Sequence, residues 1–418
     1  MKYMETFKKK DKYFICLLVL LGIFIQQSFV KAGFNISISD LIIIIVFVYH
    51  IVLGNFNRNV NKIIYFGIML YAYRLIVTVF IIFDQNLDFT SKELFSTSIK
   101  MAIVFVYTIM AYTIFQRKGY IKYFLYSYLI SSTIIGLLCI IGTIKNIQLI
   151  KQYLFFDDIR AMGLMNDPNY FAVTQIITLI LLLNLCRNTL ICYSMSAIVT
   201  LSIISSGSKT ATMIMLFLFV IYVCIKFLKG RIIFIMTTLS LLLIVLSYIF
   251  IHNNIGHIGL KMNINFIPSL ERGLTVFSQG VTSLEDNGSN RLGVWSNALF
   301  LIKYSTLLGL GLADYVHVSK TLTGIDLVAH NTYLQIVAEW GIFFAIFLIG
   351  YLIKMIYDLL RMKSRYENLY LVGMILCLFI YFMTISLNNS RFVAFIIGAL
   401  ISVVELKKIE DNGRVKHE

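Results

Sequence analysis

Charge and proline are both scarce in this chain. Only 14% of its 418 residues are charged and 2 are proline, while 59% are hydrophobic. So little charge excludes a soluble globular domain, where charged residues make up ~25%. Both prolines, Pro168 and Pro268, fall in connecting segments and not in apolar runs. That speaks against the broken helices from which transporter sites are built. The six cysteines lie in or beside apolar runs and show no disulfide framework or metal-ligand spacing, so they are expected to be small buried hydrophobes. No Walker loop is present, and the GxG of "GLGLADY" (Gly309–Tyr315) stands alone as a weak signal. The acid pairs Asp157-Asp158 and Glu285-Asp286 have no His or Cys at ligand spacing, so neither a metal nor a cofactor is expected.

What the chain does have is apolar runs, each long enough to cross a hydrocarbon core of ~30 Å as a helix. The reading is an all-α polytopic membrane protein of about twelve transmembrane helices, near 13–30, 36–54, 63–83, 96–115, 120–144, 169–186, 188–205, 210–228, 231–251, 332–353, 367–386 and 389–405. Residues 1–251 hold spans one to nine with an outer loop at 145–168, and 252–331 form one large extracytoplasmic loop between spans nine and ten. Residues 332–405 hold spans ten to twelve, and 406–418 form a cytoplasmic tail. The net charge of +15 reflects Lys and Arg gathered in short cytoplasmic loops, not nucleic-acid binding. That bias puts both termini in the cytoplasm. "MKYMETFKKKDKYFICLLVLLGIFI" resembles a signal peptide but has no small-residue cleavage site, so it reads as an uncleaved first helix.

Chemistry belongs to the polar residues that a membrane tolerates poorly. Arg74 sits in mid-span in "YFGIMLYAYRLIVTVFIIF", where an unpaired arginine costs at least ~2.5–3.5 kcal/mol. Glu339 lies two turns into the span that starts at Thr332, so an Arg74–Glu339 pair would answer both problems; the alternative is that each pairs elsewhere or faces water. On the outer side stand Arg160, Lys209 at the start of a span, Arg291 with Arg272 and Lys303 nearby in sequence, and Arg391 capping the last span. Singly, each reads as a solvated or snorkelling charge. Together they would make a site for a lipid diphosphate, because arginine grips phosphate oxygens bidentately and helix N-termini add oriented N–H groups. His330 ends the large loop and could act as a general base. The plainer alternative is a polar helix start, with Asn331 or Thr332 as N-cap.

Four stretches occur in a telling order: "RAMGLMNDPNYFAV" (Arg160–Val173), "SSGSKTATM" (Ser205–Met213), "NRLGVWSNALFLIKYSTLLGLGLADY" (Asn290–Tyr315) and "AHNTYLQIVAEWGIFFAIF" (Ala329–Phe347). Over roughly Arg160 to Gly350 they resemble the O-antigen ligase / Wzy-type polysaccharide polymerase family. The resemblance implies a metal-independent glycosyltransferase in the bacterial cytoplasmic membrane, acting on undecaprenyl-diphosphate-linked glycan at the outer face. His330 matches the family's important histidine, Arg291 the arginine before the tryptophan, and Arg160 the basic residue before the "N-P-N" stretch. These give His330 and Arg291 as catalytic and Arg160, Lys209 and Arg291 as diphosphate-binding, while Arg74, Glu339, Asn331, Arg272 and Arg391, singled out by their own chemistry, are candidate supporting residues. Lys209 stands where relatives often carry arginine, which keeps the charge but loses the planar fork. The AT-rich-genome composition tilts the reading toward a polymerase of repeat units over a ligase. A flippase or other transporter is the reading from another class, and the large loop and absent repeats speak against it. A chain-length regulator and a flippase of the same pathway are the partners the resemblance implies beside the glycan and the bilayer.

Overall fold

In the computed structural model, residues 9–28, 36–52, 58–85, 90–185, 190–227, 291–305, 307–362 and 368–415 are described. The expected ninth span (231–251), most of the large loop including Arg272 and Pro268, and the last residues of the tail lie outside them. The described chain is almost wholly helical, as expected of an all-α membrane protein. Its helices are α1 (Lys9–Phe24), α2 (Ile38–Val52), α3 (Arg58–Gln85), α4 (Ser91–Phe115), α5 (Lys118–Lys145), α6 (Gln148–Leu154), α7 (Pro168–Leu185), α8 (Leu190–Ser205), α9 (Lys209–Phe227), α10 (Arg291–Tyr304), α11 (Tyr315–Thr323), α12 (Thr332–Trp340), α13 (Ile342–Arg361), α14 (Leu369–Phe382) and α15 (Arg391–Val415). By length and composition, Asn59–Ile81, Ser91–Phe115, Gly119–Lys145 and Ile342–Arg361 are long and apolar enough to cross a membrane, and six shorter apolar helices accompany them. Helix occupies part of every other expected span that falls within the described residues.

Two expectations need correcting. The tenth span is not one helix: it breaks at Gly341, with α12 before the break and α13 after it. Absence of proline therefore failed to exclude a broken helix, because glycine can break one as well. Cys192 is disulfide-bonded, so the unpaired reading of the cysteines fails there, while Cys16, Cys139 and Cys377 are free thiols.

The chain forms two compact units, 1–130 with 292–418, and 131–291. In the first, α3 runs antiparallel to α4, with Tyr71 opposite Ser98 and Phe66 opposite Phe105. Helix α15 runs parallel to α4 and approaches it at Gly398, where a Cβ would lie 2.2 Å from the Thr108 carbonyl oxygen. Only a glycine allows backbones that close, the small-residue packing common between helices in membranes. Helix α11 is capped by Asp314, which accepts from the N–H groups of Val316 and His317. It is moored to α4 by Lys100–Asp314 (3.1 Å) and His317–Glu93 (2.9 Å). The end of the expected large loop is thus helical and anchored.

In the second unit a hairpin pairs β1 (Phe155–Phe156) with β2 (Arg160–Ala161). Asp157 and Asp158 turn it at φ 50° and 56°, a left-handed geometry that aspartate tolerates. Between its helices a buried polar seam replaces apolar packing: Ser132 and Thr178 hydroxyls meet at 2.8 Å, and Gln175 donates to Ser132 and accepts from Ser202.

Candidate functional site

The break at Gly341 organises the first unit. A helix end in an apolar setting must find partners for its free backbone groups, and the "GLGL" loop supplies them. The Leu310 N–H donates to the Ala338 carbonyl (2.7 Å), and the Ile342 N–H donates to the Leu307 carbonyl (3.0 Å). Two glycines make this possible. Gly341 has φ 83° and ψ 163°, a region open essentially to glycine alone, and a Cβ there would lie 2.4 Å from the Leu308 carbonyl oxygen. At Gly309 (φ 91°) a Cβ would lie 2.6 Å from the Gly341 nitrogen. The GxG that looks weak as a phosphate loop is the clasp of a broken helix.

The same loop is tied to α3. Tyr73 donates to the Leu308 carbonyl (2.8 Å), and Arg74 donates through Nε to the Gly311 carbonyl (2.7 Å). The Thr78 hydroxyl accepts from the Leu312 N–H (2.6 Å). Arg74 is fully buried. Its Nη2 stands 3.9 Å from Glu339 Oε2 and makes no hydrogen bond of its own. The geometry is that of an ion pair held a little apart. Glu339 is completed by neutral donors: Gln335 Nε2 at 2.7 Å and Asn388 Nδ2 at 3.0 Å.

Helix α12 therefore carries a buried polar stripe. Thr332, Gln335 and Glu339 are all buried, and their spacing puts them on one helix face. The Thr332 hydroxyl donates to the Ile385 carbonyl (2.5 Å) and accepts from the Leu387 N–H (2.9 Å). Both ends of α12 are thus clipped to the segment between α14 and α15. Asn331 is the N-cap, its side chain accepting from the Leu334 N–H (3.1 Å). Thr332 is not a cap but a clip. His330, half-buried, immediately precedes the cap with φ 47°. A left-handed non-glycine residue is costly unless its surroundings enforce it, and the capped, clipped helix start is such a surrounding.

Arg391, read from the sequence as an outward cation, is half-buried and ion-paired. Its Nε lies 2.7 Å from Asp40 Oδ1, and its Nη1 donates to the Ser28 carbonyl. Asp40 also accepts from the Tyr107 hydroxyl (2.8 Å) and the Ser37 N–H (2.9 Å). Asp40, Tyr107 and Asn388 escaped the sequence reading. The signal for Asn388 was the polar run "SLNNSR" between apolar segments; for Asp40 it was an acid opening an otherwise apolar helix.

The second unit gathers the other motif residues. Arg160 donates through Nε to the Ser206 carbonyl (3.0 Å) and through Nη2 to the Asn169 side-chain oxygen (3.2 Å). It thereby joins the "NDPN" and "SSGS" turns. The Asn169 N–H in turn donates to the Asp167 carboxylate (2.6 Å). Lys209 opens α9, three residues beyond Ser206, after a turn through Gly207 at φ 59°. Arg291 is the first residue of α10 and half-buried. The structure thus brings Arg160 to the turn that leads into Lys209, and Arg74, Glu339 and the loop before Arg391 to the helix that His330 and Asn331 open.

Residues 194–349 match the O-antigen ligase family. The resemblance drawn from the motifs is borne out over this stretch, which contains Lys209, Arg291, His330, Glu339 and the Gly341 break and ends inside α13. The Arg160 motif precedes it. No curated protein matches the chain. The similarity supports a glycosyl-transferring membrane enzyme in the broad sense.

Proposed function

We propose that the chain is a polymerase of undecaprenyl-diphosphate-linked repeat units, building capsular, exo- or O-antigen polysaccharide on the outer face of the bacterial cytoplasmic membrane. The observation that carries the reading is the O-antigen ligase match across the helix opened by His330. Its topology is twelve spans with both termini in the cytoplasm, and no metal takes part. The acceptor hydroxyl oxygen attacks the anomeric carbon of the donor sugar. The bond from that carbon to the diphosphate oxygen breaks, and the electron pair leaves with the lipid diphosphate, inverting the configuration. His330 takes the hydroxyl proton. Arg160, Lys209 and Arg291, with Arg272, hold the diphosphate and meet the charge that develops on it. The buried Arg74–Glu339 pair holds α12, and so His330, in position. Ligase activity, the transfer of finished polymer to lipid A core or another acceptor, is supported equally by the family's description.

The test is purified full-length protein in lipid nanodiscs, supplied with lipid-linked repeat units alone or with a lipid A core acceptor. His330→Ala should slow transfer roughly 10²–10⁴-fold, the usual worth of a general base, with donor binding retained. Arg291→Ala should weaken donor binding. Unimpaired chain extension by His330→Ala would overturn the base assignment, and transfer only when the core acceptor is present would replace polymerase with ligase.

A further inference from the structure

The first unit contains a cavity that the mechanism above does not use. Its volume is about 500 Å³, and its lining runs from Ser390, just before α15, along that helix from Val393 to Lys408. At 1.5 Å per residue, Val393 to Lys408 spans ~22 Å, most of the ~30 Å thickness of a hydrocarbon core. The walls between are apolar, with Phe66, Phe105, Trp340, Leu348, Ile397 and Ile401 among them. An apolar wall of this length fits an extended alkyl chain better than a compact solute.

Its two ends differ in charge. At one end Thr332, Asn388 and Ser390 line the cavity together with Leu387 and Phe382, and among the described residues no lysine or arginine does. The Thr332 hydroxyl and the Asn388 amide are already engaged with backbone groups and Glu339. At the other end stand Lys62, Lys354 and Lys408 with Asp358 and Glu405. Lys408 is paired with Asp358, and Glu405 accepts from the Tyr112 hydroxyl and from Asn59 (2.6 Å). Lys62 donates only to the neutral side-chain oxygen of Asn59 (2.8 Å) among the bonds named, and Lys354 stands beside it at this end. Both are exposed, and among the described residues neither has a carboxylate partner.

We propose that this cavity is a binding site for an anionic phospholipid of the bilayer, its phosphate held by Lys62 and Lys354 and one acyl chain lying along the apolar wall. Attraction of an anionic headgroup by lysines at the membrane surface is of useful size, and each buried methylene adds to the affinity. The polarity of the site separates this lipid from a lipid-diphosphate donor. A donor headgroup at the Thr332 end would meet no lining cation, whereas a phosphate at the lysine end meets two. The proposal is independent of glycosyl transfer.

Native mass spectrometry of the purified full chain, titrated with phosphatidylglycerol, phosphatidylcholine or undecaprenyl phosphate, tests it. One phosphatidylglycerol should be retained in preference to phosphatidylcholine. The doubly substituted Lys62→Gln/Lys354→Gln protein, altered only at exposed positions, should hold it about tenfold or more weakly. Ile401→Trp, which puts an indole in the middle of the apolar wall, should abolish retention. Equal retention of the two phospholipids, unchanged by the lysine substitutions, would overturn the proposal. So would preferential retention of undecaprenyl phosphate that ignores those lysines, which would make the cavity the donor's tail groove. The lysine variants remain readable even if the tryptophan variant fails to fold.

Discussion

Arg74 and Arg160 each fasten a loop to a helix, and they do so in different surroundings. Arg74 projects from the middle of a long helix, fully buried among apolar side chains. It holds the Gly311 carbonyl and faces a carboxylate at 3.9 Å. Arg160 projects from a two-residue strand, half-buried, and donates to the Ser206 carbonyl and the Asn169 amide. In the apolar unit a guanidinium demands a countercharge, because desolvation is severe and the group cannot shed its charge. At a partly exposed loop corner, backbone and amide dipoles supply the named contacts. Arg74 is therefore committed to architecture, whereas Arg160 keeps a planar fork near the turns that the proposed donor site requires.

The largest effect is expected where the Arg74 region relies on backbone alone. Gly341→Ala puts a Cβ 2.4 Å from the Leu308 carbonyl oxygen in a conformation that alanine avoids. The backbone strain alone is ~1–3 kcal/mol, and relieving the clash means withdrawing the 307–310 loop, which strips two backbone hydrogen bonds from the break. Thermal unfolding should show a destabilised protein with activity lost. Wild-type stability in Gly341→Ala would mean that the clasp does not hold the helix break.

A smaller and more instructive effect comes from the ion pair. Glu339→Gln leaves the Arg74 charge buried without compensation, a loss of about 3–5 kcal/mol for a pair broken on one side. Arg74→Leu removes the arginine and frees the Gly311 carbonyl, but a remaining carboxyl can neutralise itself by taking a proton, as a guanidinium cannot. Combining the two changes should cost less than the sum of the singles, with a coupling of roughly 0.5–3 kcal/mol. Strict additivity in a denaturation cycle would show that the 3.9 Å approach carries no energy.

The sequence reading reached these residues unevenly, for physical reasons. Apolar run length is a strong signal, so the membrane class and most helices were legible. A lone Arg in one span and a lone Glu in another are expensive enough to be noticed, and Arg74 and Glu339 do stand opposite each other. The break at Gly341 was not legible, because "EWGIFF" interrupts no hydropathy pattern and the backbone partners of the break lie some thirty residues away in "GLGL". Gln335, which completes the stripe with Thr332 and Glu339, went unnoticed, and its neighbour Asn388 could be found only once the loop between α14 and α15 had been folded back. Arg391 looked like a free outward cation because Asp40, its partner, is some 350 residues away.

The smallest expected effect sharpens the contrast from the other side. Arg160→Lys keeps a positive charge but cannot span the Ser206 carbonyl and the Asn169 side chain with one flat fork. One or two exposed-corner hydrogen bonds are at stake, so the loss in global stability should be about 1–2 kcal/mol at most. Its distribution matters more than its size. Hydrogen exchange should quicken at the Ser206–Lys209 turn and at 162–169 while α12 and the Gly341 break keep their protection, since their hydrogen bonds are made by other residues. The donor reading predicts in addition a rise in KM for lipid-linked substrate, with kcat less affected. Faster exchange at the two turns with an unchanged KM would leave Arg160 as a loop fastener only. In that case the two arginines would differ in surroundings but not in kind of role.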